Sequence, residues 1–420
     1  MAPACILLNR SVTFCDHPLE PEPVNGRGVA GLVGGTTATS SQPLSHEAIE
    51  EAVAMYQRAM IPILKVVDPP GVSRLTLMRP LSSDLISKYR PTMPPGLVAA
   101  ADKNLILLYA GSQRPTSSFQ GRYLLFDAVS SSLFPIPGVC RKLPYRSTGF
   151  GTIIMAREDD FVLAEMLYDA MAEIGMLCIW QGCEWVYKVG RLSDQLSYKW
   201  KVHMSFPVQS RNLFCWVDLL QGLLLCDLGR HCNVDSSDLE TSFVPLPDSC
   251  FFSEERYGRL NPQEFRTMAC VDGDIKFLTM HGFVEGGPIS LVTYTLDLDG
   301  TSPSWKEDTV LRLDDLWADQ TFISRGLPRV TPLFPSLSTH ECDIVYLVIP
   351  GDADSEEGYH VSKVKLLLSV DTRKTKVISD TKKNCPRTLF ASRYILAFNA
   401  SPCPALPDLK FHKVHTTTAT

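Results

Sequence analysis

The sequence predicts an all-β protein, built as a β-propeller of about six four-stranded blades, with seven as the alternative count. Three observations predict this fold. The 420 residues include 30 Pro and 26 Gly, so the chain contains many turns and therefore many short elements. Apolar segments recur about every 50 to 70 residues, and a repeat of this kind made of strands is typical of propeller blades. The clearest unit is Trp216–Asp227, followed by the strand-like stretch Phe243–Pro247.

The part of the chain before the repeats is predicted to differ from the rest. Residues 1–60 are expected to hold an N-terminal strand, a flexible insertion rich in Pro, Gly and Ser, and one short helix near 45–60. The helix is predicted because Ser45 can cap it and apolar residues recur at helical spacing: Ile49, Val53, Tyr56 and Met60. Residues 61–405 are expected to form the propeller-like domain, and residues 406–420 a disordered tail.

Each predicted blade contains an apolar strand that follows a polar turn. These strands begin at Leu105, Phe161, Leu223, Ile275, Ile344 and Tyr394. No such unit can bury both of its faces alone, so the units are expected to close into a ring. The last unit contains one clear strand, and we expect N-terminal strands within residues 61–78 to pair with it and close the ring. Two packed β domains are the alternative architecture.

Composition and charge limit the classes of function. The net charge of −6 gives no basic face, so we predict neither nucleic-acid binding nor a membrane partner. The N-terminus lacks the pattern of a signal peptide, and no stretch has the ~18–20 apolar residues that a membrane span needs. We therefore expect a soluble protein of the cytoplasm or nucleus. There the 13 Cys would stay reduced.

One set of residues is predicted to form the structural signature of the fold. Trp216 is expected to pack between blades, in which case Trp216→Ala should cost ~3–5 kcal/mol. Asp227 is expected to accept hydrogen bonds from backbone amides of the turn that follows it. The complete signature set is Trp216, Asp218, Gly222, Cys226, Asp227, Pro245 and Pro247.

These residues carry a resemblance to a family of plant proteins catalogued as domain of unknown function 1618. Members share a Trp-Val-Asp-Leu segment, a Gly, an aliphatic run ending in Cys-Asp, and a Val-Pro-Leu-Pro strand. Weaker agreement comes from residues 68–77, 161–166 and 180–188. Leu220-Gln221 departs from the family, which often has an aromatic-basic pair there. The resemblance extends from about residue 5 to about residue 400. It implies a plant protein with a β-rich fold similar to the propellers attached to F-box proteins, and it implies no established activity.

Motifs that would indicate a cofactor, a metal or a catalytic centre lack the context that their chemistry needs. Residues 26–31 match the dinucleotide fingerprint, but no strand precedes them and no helix start follows. Residues 351–358 alternate acids as a calcium loop does, yet Lys363 occupies the position of the bidentate acid. The sequence therefore predicts no catalytic residue, no cofactor and no metal ligand.

Three functions remain after these exclusions. The first is a non-catalytic module that binds unknown protein partners through its rim, with an acidic hairpin as a candidate rim loop: Asp352, Asp354, Glu356 and Glu357. The alternative is an enzyme or small-ligand binder with its site in the propeller channel, where converging Asp, Glu, His or Arg side chains would favour it. The third is a substrate receptor in protein turnover that acts without its own F-box. The sequence does not specify the partner, the oligomeric state or the functional face.

Overall fold

A computed structural model describes thirteen ranges of the chain, and every structural statement below concerns these residues. They are 5–17, 60–80, 96–110, 122–136, 146–158, 160–169, 174–181, 184–191, 200–228, 239–252, 261–351, 364–381 and 395–400. Several predicted features lie outside the described residues. These are the insertion, the helix near 45–60 except Met60, the acidic loop at 352–357, and the tail at 406–420.

The described residues form six small sheets that are arranged in a ring, which confirms the predicted six-bladed β-propeller. Four strands belong to the N-terminal part: β1 (Cys5–Asn9), β2 (Thr13–His17), β3 (Ile61–Lys65) and β4 (Arg74–Pro80). Blade 1 contains β5 (Leu97–Asp102), β6 (Leu105–Ala110), β7 (Arg122–Asp127) and β8 (Ser132–Ile136). Blade 2 contains β9 (Arg146–Ala156), β10 (Phe161–Asp169), β11 (Ile174–Gln181) and β12 (Glu184–Arg191).

The next three blades repeat the same antiparallel order. Blade 3 contains β13 (Met204–Val208), β14 (Leu213–Asp218), β15 (Gly222–Asp227) and β16 (Ser242–Pro245). Blade 4 contains β17 (Arg266–Val271), β18 (Asp274–His281), β19 (Ser290–Asp297) and β20 (Ser304–Arg312). Blade 5 contains β21 (Leu333–Leu337), β22 (Ile344–Pro350), β23 (Val364–Asp371) and β24 (Lys376–Asp380). Two short helices, α1 (Leu313–Ala318) and α2 (Gln320–Ser324), connect blades 4 and 5.

The sixth blade joins the two ends of the described chain. Its inner strand β25 (Ile395–Asn399) pairs antiparallel with β1, and β4 pairs parallel with β2 and antiparallel with β3. The backbone amide of Asn9 donates to the carbonyl of Ser73, so β1 also joins the segment that leads into β4. N-terminal strands therefore close the ring, as predicted. The predicted partner was wrong in detail, because β1 and not residues 61–78 pairs with the last strand.

The apolar core is divided into layers between neighbouring blades. Each blade presents alternate residues to the blade on either side. Most buried apolar residues accordingly fall into six interblade clusters, one for each contact between neighbouring blades, and a seventh, small cluster of Leu167, Met176 and Cys178 lies in blade 2. A blade without its two neighbours would expose both layers, so the ring is the unit that buries this core.

Local structure differs from the prediction in two places. The apolar run at Leu223 is the third strand of its blade. The described part of the last predicted run is β25, an inner strand, whereas the other predicted runs are second strands of their blades. The helix α1, which contains Trp317 and the pair Asp314-Asp315, was not predicted. Helix α1 has acidic residues in its first turn, where the helix dipole favours them.

Candidate functional site

A cavity of about 540 Å³ occupies the centre of the ring. Residues of the first strand of every blade line it, from β5, β9, β13, β17, β21 and β25. These inner strands contact one another around the ring: β5 contacts β9 and β25, β13 contacts β9 and β17, and β17 contacts β21. The candidate site is therefore the propeller channel, as the alternative function expected.

The channel has two chemically different ends. The inner strands run in one direction and end in the turns that carry Asp102, Gln209 and Asp272, and we call this end the Asp102 face. The opposite end carries His203 and Arg266 beside the turn after Asp218, and we call it the Asp218 face. Hydrogen bonds between neighbouring turns establish the grouping, because Gln209 contacts Asp102 and the amide of Asp272 donates to the carbonyl of Thr339.

Asp102 is the central group of the Asp102 face. It is the last residue of β5 and is 5% exposed. Its Oδ2 atom accepts a hydrogen bond of 2.8 Å from the backbone amide of Ala156 and one of 2.5 Å from Gln209 Nε2. One carboxylate thereby joins blades 1, 2 and 3. Burial raises the pKa of this carboxyl to about 6, although both hydrogen bonds and the charge of Lys103 lower it.

The turns around Asp102 bring further polar groups to the channel. Gln209 begins a 3-10 turn after β13 that ends at Asn212, whose φ of 53° lies in the left-handed region that Asn tolerates. Ser210 Oγ lies 3.4 Å from the carbonyl of Gly273 in the next blade. The hydroxyl oxygen of Thr339 is buried without a hydrogen-bond partner in the described structure. A carboxylate, a carboxamide and hydroxyl groups thus converge at this mouth of the channel.

A thiol lies close to the same carboxylates. Cys270 is half-buried on β17 and lines the cavity. Burial raises the pKa of its thiol to about 11, and the charges of Asp274, Asp102 and Asp272 raise it further, against a hydrogen bond involving the backbone of Gly273. A thiol with this pKa is protonated at neutral pH, so Cys270 is a poor nucleophile.

The Asp102 face carries an excess of negative charge. The described turns of blades 1 to 5 on this face, with the strand ends that flank them, contain fourteen carboxylates and six basic side chains. The carboxylates are Asp102, Asp127, Glu158, Asp160, Glu184, Asp227, Glu240, Asp272, Asp274, Asp297, Asp299, Glu341, Asp343 and Asp371. The basic residues are Lys103, Arg157, Arg211, Arg373, Lys374 and Lys376. Such a face attracts cations and basic surfaces through long-range electrostatics.

The Asp218 face contains a buried network that holds blade 3 against blade 4. Asp218 accepts hydrogen bonds from the amides of Lys201 and Leu220, each 2.9 Å long, and its Oδ1 lies 3.3 Å from His203 Nδ1. The amide of Leu219 donates to the same nitrogen at 3.2 Å. His203 Nδ1 thus lies within reach of both a backbone donor and a carboxylate acceptor.

Arg266 completes this network from blade 4. It is 2% exposed and donates to the carbonyls of Leu219 at 2.8 Å and Cys250 at 2.6 Å. Its guanidinium carbon also lies 4.4 Å from the ring centre of Phe252, a cation–π contact. All of these partners belong to the protein itself, so Arg266 holds blades 3 and 4 together.

The signature residues make contacts within blade 3 and with its two neighbours. Trp216 is fully buried, as predicted, and its indole N–H donates to the carbonyl of Gly151 in blade 2 at 2.7 Å. Gly222 allows a close approach, because a Cβ atom there would lie 2.3 Å from the carbonyl oxygen of Val244. The carbonyl of Pro245 accepts the indole N–H of Trp305 from blade 4 at 2.7 Å.

The remaining signature residues flank the same strands. Cys226 is buried in the layer between blades 2 and 3, and Asp227 is half-buried at the end of β15. The carbonyl of Pro247 accepts from the amide of Cys250 at the start of a 3-10 turn. None of the seven signature residues is among those lining the channel. The structure therefore separates the signature from the channel site.

Sequence reasoning missed the residues of the channel mouth. Asp102 and Gln209 lie 107 positions apart. Each occurs in a short polar turn whose sequence does not distinguish it from the other turns of the chain. The regular spacing of the turns was the only available signal, since equivalent turns of neighbouring blades meet at one end of the channel.

Three further observations concern the described residues only. No group of three or more His, Cys, Asp or Glu side chains is placed to bind a metal ion. None of the eight cysteines within the described ranges forms a disulfide. In that part of the chain, no helix has both the length and the apolar character that crossing a membrane requires.

Three solved structures are similar to this chain at low TM-scores. A member of the DUF4221 family from Bacteroides vulgatus has 11% sequence identity and a TM-score of 0.34, covering 67% of this chain and 81% of its own. A B. megaterium levansucrase mutant has 10% identity and a TM-score of 0.30, with 72% and 84% covered. Saccharomyces cerevisiae Sqt1 has 11% identity and a TM-score of 0.26, with 72% of each chain covered. Structural similarity at these TM-scores supports no conclusion about function.

No curated protein matches the chain. A family model does match, and it covers residues 216–346, from the signature tryptophan in blade 3 to β22 in blade 5. This stretch contains the interblade contacts of Trp216 and Arg266 and the contacts of Asp218 and Gly222 within blade 3. Residues 216–346 thus match the family described as "Protein of unknown function (DUF1618)", which confirms the family resemblance identified from the sequence.

Proposed function

We propose that this protein is a non-catalytic protein-interaction module, and that it binds a basic partner surface on the Asp102 face. The observation that carries the proposal is the excess of fourteen carboxylates over six basic side chains in the turns of that face. Charge complementarity of this kind steers association and selects partners.

The acidic turns are held in fixed conformations, which favours recognition over a merely solvated surface. Asp127 accepts hydrogen bonds from the amide of Val129 and the hydroxyl of Ser130. Asp371 accepts from the amide of Lys374 at 2.8 Å and pairs with its ammonium group at 2.9 Å. Turns that are already ordered lose little conformational entropy when a partner binds.

The test is co-purification from plant cells, the source that the family resemblance predicts. The parent chain is compared with two doubly charge-reversed variants that change the net charge equally. The first carries Glu158→Lys and Asp274→Lys, both exposed on the Asp102 face; the second carries Asp314→Lys and Asp315→Lys, both exposed on α1 near the Asp218 face. Bound proteins are quantified by mass spectrometry, and the far-UV circular dichroism of each bait is recorded.

We expect stoichiometric partners that the parent and the α1 variant retain and the first variant loses. A folded parent that enriches no protein, or equal loss in both variants, would contradict the proposal. An adaptor of a ubiquitin ligase among the retained partners would favour the substrate-receptor role. Imaging of the tagged chain in the same cells tests the placement in cytoplasm or nucleus.

A second candidate function is a small-ligand site or an enzyme in the channel. The cavity of about 540 Å³ favours it, because ligand pockets typically measure about 300 to 1,000 Å³. Asp102 also has the raised pKa that a proton-transferring group needs near neutral pH. A folded parent that enriches no protein would favour this candidate over the interaction module.

A further inference from the structure

The half of the channel next to the Asp102 face combines an enclosed space with a buried carboxylate. Asp102 is 5% exposed and lines the cavity. Beside it, Ala99 and Ala101 contribute only methyl groups to the wall, and Phe206 adds an apolar surface from blade 3. This part of the lining thus combines a buried carboxylate with apolar side chains.

The charges of the lining residues indicate which ligands this half would accept. With His counted as neutral, Asp102 and Asp272 are the charged residues among the described lining of this half. The other two charged lining residues are Arg266, toward the opposite end, and Arg10, which reaches the boundary between the two halves at Ala99. Arg10 donates to the carbonyls of Val98 and Ala99 at 3.1 Å each, and Arg266 likewise donates to main-chain carbonyls. An anion would therefore be repelled from this half, whereas a cation would be attracted.

A cation beside Asp102 would favour the ionised form of this carboxyl. Two hydrogen bonds and the neighbouring Lys103 all favour its ionised form, yet burial still leaves its pKa raised. A positive charge in the adjoining space would reverse this effect, because an opposite charge within about 4 to 6 Å favours the carboxylate. The other titratable groups near it are Cys270 and Asp272 on blade 4 and His340 on blade 5.

We propose that this half of the channel binds an alkylammonium group, with the ammonium on the Asp102 carboxylate and the hydrocarbon body along Ala99, Ala101 and Phe206. The carboxamide oxygen of Gln209 supplies a second acceptor, since its nitrogen already donates to Asp102. The ligand is either a free small amine or a lysine side chain of a bound polypeptide, because both present the same group. The proposal does not depend on the rim interaction.

The experiment titrates the full chain with three probes and follows binding by ligand-observed NMR and calorimetry. The probes are 1-aminohexane, its neutral counterpart 1-hexanol, and a lysine tripeptide with blocked termini. Asp102→Asn removes the charge that the amine requires. Asp299→Asn is the matched control, since it removes one charge from a 77% exposed carboxylate on the same face but outside the channel. Ala99→Leu fills the channel without altering any charge.

We expect 1-aminohexane to bind at least about tenfold more tightly than 1-hexanol, which corresponds to one charge-assisted hydrogen bond. Asp102→Asn and Ala99→Leu should each weaken amine binding about tenfold or more, while Asp299→Asn leaves it within about twofold. Binding of the free amine identifies a small-molecule site, and binding of the tripeptide alone identifies a partner's lysine.

Three outcomes would overturn the proposal: no binding of either cationic probe at millimolar concentration, equal affinity for the alcohol, or equal weakening by the control variant. If Asp102→Asn does not fold, two measurements still test the proposal. They are the relative affinity of the parent for 1-aminohexane and 1-hexanol, and the affinity of Ala99→Leu for 1-aminohexane. Amine binding together with no co-purifying protein would support the channel site and contradict only the interaction module.

Discussion

Replacing Trp216 by alanine tests whether the interblade layers hold the ring together. The indole is fully buried between blades 2 and 3 and makes an edge-on contact with Phe214 at 6.0 Å. Truncation of a buried Trp to Ala costs about 3–5 kcal/mol through lost transfer energy and the cavity left behind. The carbonyl of Gly151 also loses its indole donor, which adds about 1–3 kcal/mol if it stays dry. We therefore expect a loss of about 5 kcal/mol.

A second substitution separates the two contributions. Trp216→Phe keeps most of the apolar ring but removes the N–H group, so its loss should be about 1–3 kcal/mol. Ile378→Ala is the control, because that side chain is 49% exposed on β24 and its removal should change stability by no more than about 0.5 kcal/mol.

Urea unfolding followed by far-UV circular dichroism measures all three variants. A Trp216→Ala protein that unfolds within about 1 kcal/mol of the parent would refute the reasoning. A Trp216→Phe protein that is as unstable as Trp216→Ala would also refute it. The buried area of the aromatic ring would then make no contribution to the free energy of unfolding. The expected loss is a large share of the roughly 5–15 kcal/mol that stabilises a typical protein, so expression at low temperature is advisable.

Three further predictions follow from particular contacts. Gly222→Ala should lower the urea midpoint clearly, because its Cβ would meet a backbone carbonyl, whereas Gly287→Ala has open space and should change it little. Since the folded-state pKa of Asp102 is raised from 3.8 to about 6, its contribution to stability falls as pH rises through that window. The fall is on the order of 3 kcal/mol, and it should be missing from Asp102→Asn in urea titrations from pH 4 to 7. Iodoacetamide at pH 8 should label the exposed Cys342 quickly and the buried Cys215 only after unfolding, since burial raises the pKa of the Cys215 thiol; peptide mass spectrometry reads both sites.

Much of the architecture could be predicted because it depends on local patterns. Apolar segments between polar turns identify strands, and their recurrence at a blade-like interval identifies a ring. The rank of each strand within its blade could not be predicted in the same way. The run at Leu223 and the strand that precedes it are both apolar, so periodicity alone does not say which one is the second strand.

The strand pairing that closes the ring could not be predicted, because it joins two segments that are far apart in the sequence. Cys5–Asn9 is a short apolar stretch that could pair with any exposed strand edge. Its partner β25 lies almost 400 residues away, and only the closed ring brings the two edges together. Helix α1 was missed for a different reason. Six residues give too short a pattern to distinguish one helical turn from a strand end.

The position of the signature residues explains why family resemblance predicts the fold better than the function. Trp216 joins blades 2 and 3, and Arg266 joins blade 4 to the turn after Asp218. Asp218 and Gly222 fix turns and strands within blade 3. Residues in such positions are constrained by packing and by buried hydrogen bonds, whatever the protein binds. Asp102 and Gln209 lie at the other end of the channel, where they join blades 1, 2 and 3 and also line the cavity. A substitution at the joints should therefore change stability, whereas Ala99→Leu in the channel should change amine binding at nearly constant stability. We therefore expect function at the Asp102 face, away from the residues that carry the family resemblance.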